Sequence, residues 1–258
     1  MIRLAVAVAA LLCASLDASA APSEHFLRPE LEVGEHLTSV FSKAVDIAGP
    51  GFQEVVHRTS GTGEEVVTRI DGGDITFRAT VRYDGRPVQN GTDKRLADGT
   101  TECWNDHCAV NDSTSGLLFN RYLWGEVPDN IEAGSSWTAT IGKPWEIGPP
   151  GTERVRVLRL DAPNGGITLT REGTGAGASS DDARQPQITI TTNDGRSLRV
   201  KLIPGESHWS GYTTIRKGVI VGDEILLERP VTLVAGTGEE FQGKERVYTL
   251  ENLAQDQR

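Results

Sequence analysis

Residues 71–83 read DGGDITFRATVRY, and they show most clearly the pattern from which the fold class is predicted. After the glycine pair, apolar and polar residues alternate, and the apolar set comprises Ile75, Phe77, Ala79, Val81 and Tyr83. Successive side chains of a β-strand point to opposite faces, so this period of two predicts a strand with one buried and one solvated face. The preceding Asp71-Gly72-Gly73-Asp74 supplies the positive φ angles that a tight hairpin turn needs.

The same alternation recurs through the second half of the chain. It is seen at Val155-x-Val157, Ile167-x-Leu169, Ile188-x-Ile190, Leu198-x-Val200-x-Leu202, Ile225-x-Leu227 and Val231-x-Leu233-x-Ala235. Turn-forming residues separate these segments at Asp84-Gly85, 163–166, 193–195 and Gly222-Asp223. Parallel strands need long crossover segments, and no helical period fills such a segment after residue 150. The sequence therefore predicts an all-β fold, an antiparallel meander curling into a half-barrel, barrel or sandwich, with little helix.

We expect a single β-rich domain over residues 21–258. Its first part, up to about residue 150, is rich in loops and tryptophan, and regular antiparallel strands follow over 153–251. Residues 174–186 (TGAGASSDDARQP) are small and polar. They predict a flexible loop at the tip of a hairpin between strands at 167–172 and 187–193.

Other segments allow more than one interpretation. Residues 31–44 follow a helical stripe only loosely, and a strand is favoured for 37–46, whereas a short helix fits 116–123. Gly-Thr-Gly-Glu-Glu occurs twice, at 61–65 and 236–240, and both copies are interpreted as turns between strands. Two short matches do not make a repeat architecture.

The N-terminal segment has the features of a cleavable secretory signal. Arg3 is followed by an apolar run over 4–12, and small residues stand at Ala18 and Ala20. That run is too short to span a hydrocarbon core of about 30 Å. We therefore expect cleavage after Ala20 and a mature chain that begins at Ala21. The richness in Ala, Gly, Arg and Asp indicates a bacterial source, so the expected location is the periplasm or the extracellular space.

The acidity of the chain bears on its partners. The net charge is −10, and the signal removes one arginine and one aspartate, so the mature chain keeps that charge. Such a chain repels phosphates, and we expect neither nucleic acid nor an anionic membrane surface as a partner. No later segment approaches eighteen consecutive apolar residues, so no transmembrane anchor is expected. The expected partner is an unknown envelope ligand or protein, and the oligomeric state is left open.

Signal cleavage also removes Cys13 and leaves Cys103 and Cys108. In an oxidising compartment these two cysteines favour a disulfide, and so short a ring contributes only about 2 kcal/mol. Metal binding is the alternative, because His107 lies between the two thiols. A zinc site needs further ligands at the usual spacing, and the sequence has none there. We therefore expect no metal. A lipoprotein signal needs a small residue just before the lipidated cysteine, and Leu12 before Cys13 does not fit that pattern.

Residues 173–178 (GTGAGA) resemble a dinucleotide-binding fingerprint in letters only. The glycines of that fingerprint bring a pyrophosphate to the N-terminus of a following helix, and no helical pattern follows here. The segment is interpreted as a flexible loop, and no cofactor is expected.

The tryptophans are unevenly distributed, since four of the five lie between residues 104 and 145. Large rings are the usual filling between sheets, so a core role is favoured for them. The alternative is a ligand surface on which exposed rings stack and polar groups orient the ligand. The candidate ligand-binding residues on that interpretation are Trp104, Arg121, Trp124 and Trp145.

No catalytic residue is selected by the sequence. Ser207 and His208 are adjacent, and neighbours in a strand face opposite ways; the Gly-x-Ser-x-Gly elbow is also missing. Saccharide hydrolysis needs two convergent carboxyls, and Glu126, Asp129 and Glu146 lie near tryptophans. These three carboxylates are the candidates for a hydrolase.

Three functional hypotheses follow. The preferred one is an exported, non-enzymatic ligand- or partner-binding β domain that uses the concavity of a curved sheet whose inner face is incompletely filled. The first alternative is a cell-envelope hydrolase that acts on saccharides through carboxylates near the tryptophans. The second is a surface interaction module without a small-molecule site.

Overall fold

The computed structural model describes residues 20–97, 101–103, 117–119, 121–142, 145, 148–177 and 185–254. The first seven strands are β1 (Ala21–Pro22), β2 (His36–Ala48), β3 (Val55–Asp71), β4 (Asp74–Tyr83), β5 (Gln89–Arg95), β6 (Thr101–Cys103) and β7 (Asn130–Ile131). The next eight are β8 (Ser136–Ile141), β9 (Gly151–Asp161), β10 (Gly166–Gly175), β11 (Gln187–Thr191), β12 (Ser197–Pro204), β13 (Ser207–Arg216), β14 (Val219–Ala235) and β15 (Glu240–Leu253).

Helix is scarce in the described part of the chain. It is limited to α1 (Glu24–Leu27), α2 (Arg121–Trp124) and one 3-10 turn at Ala162–Asn164. None of these is long and apolar enough to cross a membrane.

One 13-stranded sheet forms the body of the protein. Its main path runs β6-β5-β4-β3-β2-β15-β14-β13-β10-β9-β8, and β12 pairs with β14 while β11 pairs with β12. The pairings of this sheet are antiparallel, as is that of the separate β1–β7 pair. The main path is open, with β6 and β8 at its two ends. The predicted all-β, antiparallel fold with little helix is confirmed.

Residues 71–83 form the turn and the second strand of the predicted hairpin. Gly72 and Gly73 have φ angles of 58° and 96° and join β3 to β4, where Asp71 lies opposite Asp74. Ile75 and Phe77 are buried on the inner face of the sheet. Periodicity and turn chemistry agree here, so the local prediction holds.

The turn predicted at Gly222-Asp223 is wrong. The hairpin between β13 and β14 turns at Lys217 and Gly218, which have φ angles of 50° and 74°. Gly222 and Asp223 lie inside β14, where Asp223 is opposite Thr213.

The two Gly-Thr-Gly-Glu-Glu segments have different structures. Residues 236–240 form the predicted turn into β15, with Gly238 at φ 86°. Residues 61–65 lie inside β3, so the turn predicted there is wrong. A Cβ on Gly61 would lie 2.3 Å from the Arg82 carbonyl oxygen and 2.6 Å from the Phe41 ring. Glycine is needed at 61 for close approach rather than for a turn.

The hairpin predicted around residues 174–186 is also wrong. β10 is bonded to β9 along one edge and to β13 along the other, so neither edge is open to β11. β11 pairs with β12 instead. Residues 178–184 of the predicted flexible loop lie outside the described residues.

The largest core cluster lies against the inner face of β8, β9, β10, β13 and β14. Four tryptophans belong to it, namely Trp124, Trp137, Trp145 and Trp209. Phe26 of α1 is fully buried in the same cluster. The core role favoured for the tryptophans is confirmed for those that the structure describes; Trp104 lies outside them.

Candidate functional site

The structure brings together two of the four predicted ligand-binding residues. Trp124 and Trp145 are 1% and 4% exposed, and both lie against the guanidinium group of Arg171. The Arg171 Cζ atom is 4.1 Å from the Trp124 ring centroid and 5.3 Å from that of Trp145. Arg121 belongs to α2, but its side chain lies outside the described part, as do Trp104 and the predicted disulfide partner Cys108.

Arg171 is the centre of a buried charge cluster that includes Glu153 and Trp209. Arg171 and Glu153 are 2% and 1% exposed. The Arg171 Nε group donates to both Glu153 carboxylate oxygens at 3.2 Å, and the Trp209 Nε1 group donates to Oε2 at 2.9 Å. A buried charge is tolerated only when it is paired and hydrogen-bonded. The Arg171 Nε group meets both conditions through Glu153, whereas the buried Arg171 Nη2 atom has no hydrogen-bond partner among the described residues.

A glycine makes the Trp209 contact possible. In the strand register Gly173 of β10 lies between Glu153 of β9 and Trp209 of β13. A Cβ on Gly173 would lie 2.3 Å from the Trp209 indole ring. Because this position has no side chain, the indole lies across it and reaches the carboxylate of Glu153.

Asp223 extends the buried cluster toward β14. Its Oδ1 atom is 3.9 Å from the Arg171 Nη1 atom, and the Thr213 hydroxyl donates a hydrogen bond to the same carboxylate. Burial raises the pKa of Asp223 above its ordinary value, against the opposing effect of the Arg171 charge. The cluster thus holds β9, β10, β13 and β14 together from the inner side.

The opposite face of the same strands carries an elongated polar depression, here called the trough. One part of about 550 Å³ and a second of about 680 Å³ share Arg154, Glu172 and Ser210 in their lining. The first part is also lined by Thr138, Thr152, Thr174, His208, Leu226 and Glu228. The second is also lined by Arg156, Leu158, Thr170 and Tyr212. Both parts are open to solvent along the face of the sheet.

The register explains why these side chains form one site. Five residues stand directly opposite one another across β8, β9, β10, β13 and β14, namely Thr138, Arg154, Glu172, Ser210 and Leu226. Neighbouring strands are about 4.8 Å apart, so this row is about 19 Å long.

The charged groups of the trough differ in how they are paired. Glu228 accepts ion pairs from Lys244 and Arg246, both at 2.7 Å. Arg154 is 3.4 Å from the Ser136 hydroxyl. Within the part of the chain that the structure describes, neither Arg154 nor Arg156 has a carboxylate in ion-pair distance. These two guanidinium groups are available to a ligand.

His208 and Ser210 share the trough, because residues two apart in a strand face the same way. A nucleophilic serine needs a hydrogen bond to its base and an acid that orients the base. His208 makes no hydrogen bond to Ser210 or to Glu228, the residue opposite it. Glu228 is engaged by cations instead. His208, Ser210 and Glu228 therefore do not form a hydrogen-bonded catalytic relay in this structure.

The carboxylates considered for a hydrolase do not mark a site. Glu126 and Asp129 are exposed in the segment between α2 and β7, and Glu146 lies outside the described residues. Among the residues with described positions, no group of three or more His, Cys, Asp or Glu side chains could hold a metal ion.

A second titratable group lies on the inner face of the sheet, away from the trough. Glu65 of β3 is half-buried. Burial raises the pKa of Glu65 to about 8, and the carboxylates of Asp93 and Glu251 act in the same direction. Glu65 is therefore largely protonated at neutral pH in the folded protein.

We expect stability to fall as the pH rises from about 4.5 to about 8. In this window folded Glu65 holds a proton that the unfolded chain, with its ordinary pKa of 4.5, has lost. Glu65→Gln removes this ionisation and is expected to raise stability at pH 8 and to flatten the pH dependence. Urea unfolding between pH 5 and 8.5 measures both effects. Glu54→Gln, at an exposed position just before β3, is the control. Equal slopes in wild type and Glu65→Gln would contradict the assignment.

Comparison with known proteins identifies no family. The chain matches no protein-family model and no curated protein. Among solved structures, Salmonella typhi OmpF in complex with daunomycin is 7% identical, with 86% of this chain and 98% of that chain covered and a TM-score of 0.23. An outer membrane channel from Pseudomonas putida F1 is 8% identical, with 88% and 98% covered and a TM-score of 0.20.

A protein of unknown function with a hot dog fold from Alicyclobacillus acidocaldarius is 12% identical. Here 87% of this chain and 81% of that chain are covered, and the TM-score is 0.14. Similarities at this level show nothing about the function of this chain.

Proposed function

We propose that this chain is an exported, non-enzymatic binding protein whose trough binds an extended ligand. The observation that carries the proposal is the continuous row of five polar and apolar side chains across five paired strands. The strands fix the spacing of these side chains before a ligand arrives. Such preorganisation lowers the entropy that binding costs.

The buried cluster lies on the opposite face of the strands that carry the trough. Glu153, Arg171 and Trp209 alternate along their strands with the trough residues Arg154, Glu172 and Ser210. The ion pair and the indole hydrogen bond connect β9, β10 and β13, whose outer side chains line the trough. We infer that the cluster keeps the spacing of the trough constant.

The inner face is a less suitable location in this half of the sheet. There the side chains of α1, α2 and the tryptophans fill the space against the strands. The expected ligand site in the concavity is therefore replaced, in our proposal, by a site on the solvent face of the same strands.

Export and signal cleavage after Ala20 are part of the proposal. Ala21 and Pro22 form β1 and pair with Asn130 and Ile131 of β7, and the Ser23 backbone N–H donates to the Asp129 carbonyl at 2.9 Å. A strand pairing that includes Ala21 and Pro22 is compatible with a mature chain whose N-terminus is Ala21. We propose the periplasm or the extracellular space as its compartment.

Native mass spectrometry of protein purified from its own cell envelope tests the proposal. We expect a chain mass that begins at Ala21 and a co-purifying species bound to it. Ser210→Trp places an indole in the middle of the trough and is expected to abolish that species, because Ser210 belongs to both parts of the lining. Thr62→Trp, at an exposed position of β3, is the matched control. A bound species that persists in Ser210→Trp, or a wild type without one, would refute the proposed site.

A further inference from the structure

We propose that the ligand of the trough is an acidic oligosaccharide, a chain of sugar rings that carry carboxylates. This inference rests on the proposed binding function and adds the chemical class of the ligand. It is supported by the paired edges of the strands, the hydroxyl groups of the lining and the two guanidinium groups of β9.

The strand edges exclude one common way of binding an extended ligand. β9, β10 and β13 are each paired on both sides, with β8 and β14 as the outer neighbours of this set. An extended peptide commonly binds by adding a strand to a free sheet edge. Of the described strands that carry the trough, β8 lies at an end of the main path, whereas β9, β10, β13 and β14 are paired on both sides. A ligand that lies across these four strands must be bound through side chains. This favours a molecule that carries many hydrogen-bonding groups of its own.

The lining matches such a molecule. Six hydroxyl groups face the trough, those of Thr138, Thr152, Thr170, Thr174, Ser210 and Tyr212. Each hydroxyl can donate and accept, as the hydroxyls of a sugar do. Tyr212 is 55% exposed and Leu158 is 54% exposed, so an aromatic face and an aliphatic surface are available to the C–H face of a sugar ring. A length of about 19 Å suits several rings rather than one.

The charges favour a ligand that carries carboxylates. Arg154 and Arg156 stand two residues apart on the same face of β9, about 7 Å from each other. Of the three glutamates in the described lining, Glu153 is paired with Arg171, and Glu228 is neutralised by Lys244 and Arg246. Glu172 is the remaining carboxylate of that lining near the two arginines. The trough is thus locally cationic on a chain of net charge −10, and guanidinium groups bind carboxylates in bidentate fashion.

Titration calorimetry with two defined sugars tests the inference on the mature chain. The probes are tetragalacturonate, which is acidic, and cellotetraose, which is neutral. We expect tetragalacturonate to bind at least tenfold more tightly than cellotetraose and to weaken as salt is added. Arg154→Gln/Arg156→Gln is expected to weaken tetragalacturonate at least tenfold. Arg78→Gln/Arg199→Gln makes the same charge change at exposed positions of β4 and β12, and it is expected to bind like wild type.

The possible failures can be told apart. If cellotetraose binds as tightly as tetragalacturonate, the acidic class is wrong while a sugar-binding trough stands. If tetragalacturonate binds equally well to Arg154→Gln/Arg156→Gln, the two arginines are not its site and the inference is overturned. If neither sugar binds, the ligand class is wrong. The envelope species and its loss in Ser210→Trp then decide separately whether the trough binds anything.

Discussion

Replacing Arg171 with methionine is expected to lower the free energy of unfolding by about 3–5 kcal/mol. The substitution leaves the Glu153 carboxylate buried with the Trp209 indole N–H as its remaining side-chain donor. It also removes the cation that lies over the Trp124 ring. Urea unfolding followed by tryptophan fluorescence and far-ultraviolet circular dichroism measures the loss.

Two further variants show whether the effect arises from the buried pair. Glu153→Gln/Arg171→Met removes both charges, and we expect it to be more stable than Arg171→Met alone. Arg156→Met changes an exposed arginine on the other face of the same sheet and is expected to alter stability by less than about 0.5 kcal/mol. An Arg171→Met protein as stable as Arg156→Met would show that the pair does not hold the strands.

Substituting Gly173 with alanine is expected to cost about 2–3 kcal/mol, although only one methyl group is added. The new Cβ would lie 2.3 Å from the Trp209 ring, which must move away from Glu153. The hydrogen bond between the indole and the carboxylate is then lost. Thermal unfolding gives the change in stability, and the near-ultraviolet signal reports the displaced indole.

Gly236→Ala is the matched control for this substitution. No atom lies within 4 Å of a Cβ at Gly236, and its φ angle is not in the left-handed region. We expect a change of less than about 0.5 kcal/mol there. If Gly173→Ala behaves like Gly236→Ala, the close contact between Trp209 and β10 is not present in solution.

Local sequence signals predicted the parts of the fold that depend on neighbours in the chain. The strand over residues 75–83 and the glycine turn at 72–73 are formed as predicted, although only Ile75 and Phe77 of the predicted apolar face are buried. The identical segments at 61–65 and 236–240 show the limit of such signals. Residues 236–240 form a turn, whereas residues 61–65 lie in a strand. In that strand Gly61 fits closely against Phe41 of β2 and Arg82 of β4, where a larger residue would not fit.

The buried charge cluster could have been found from the sequence. The inward positions Ile167 and Leu169 continue by the same period of two to Arg171. In β9 the inward Val157 and Val155 lead in the same way to Glu153. When each of two neighbouring strands has a charged residue at an inward-facing position, and the charges are opposite, a buried ion pair is predicted.

The trough could not be predicted in this way, because it depends on the register of distant strands. β13 pairs with β10 although β11 and β12 intervene in the chain, and β12 pairs with the second half of β14. Ser210 therefore stands opposite Glu172 rather than opposite a residue of β12. No local pattern encodes that choice, which is set by how the inner side chains pack together.

Amide chemical-shift mapping by NMR can show directly whether a ligand binds in the trough. In this experiment the species that co-purifies from the envelope is added back to the stripped protein. We expect the shifted amides to cluster at Arg154, Glu172 and Ser210 and along their strands. Shifts confined to β2–β5, with these three amides unchanged, would contradict the account.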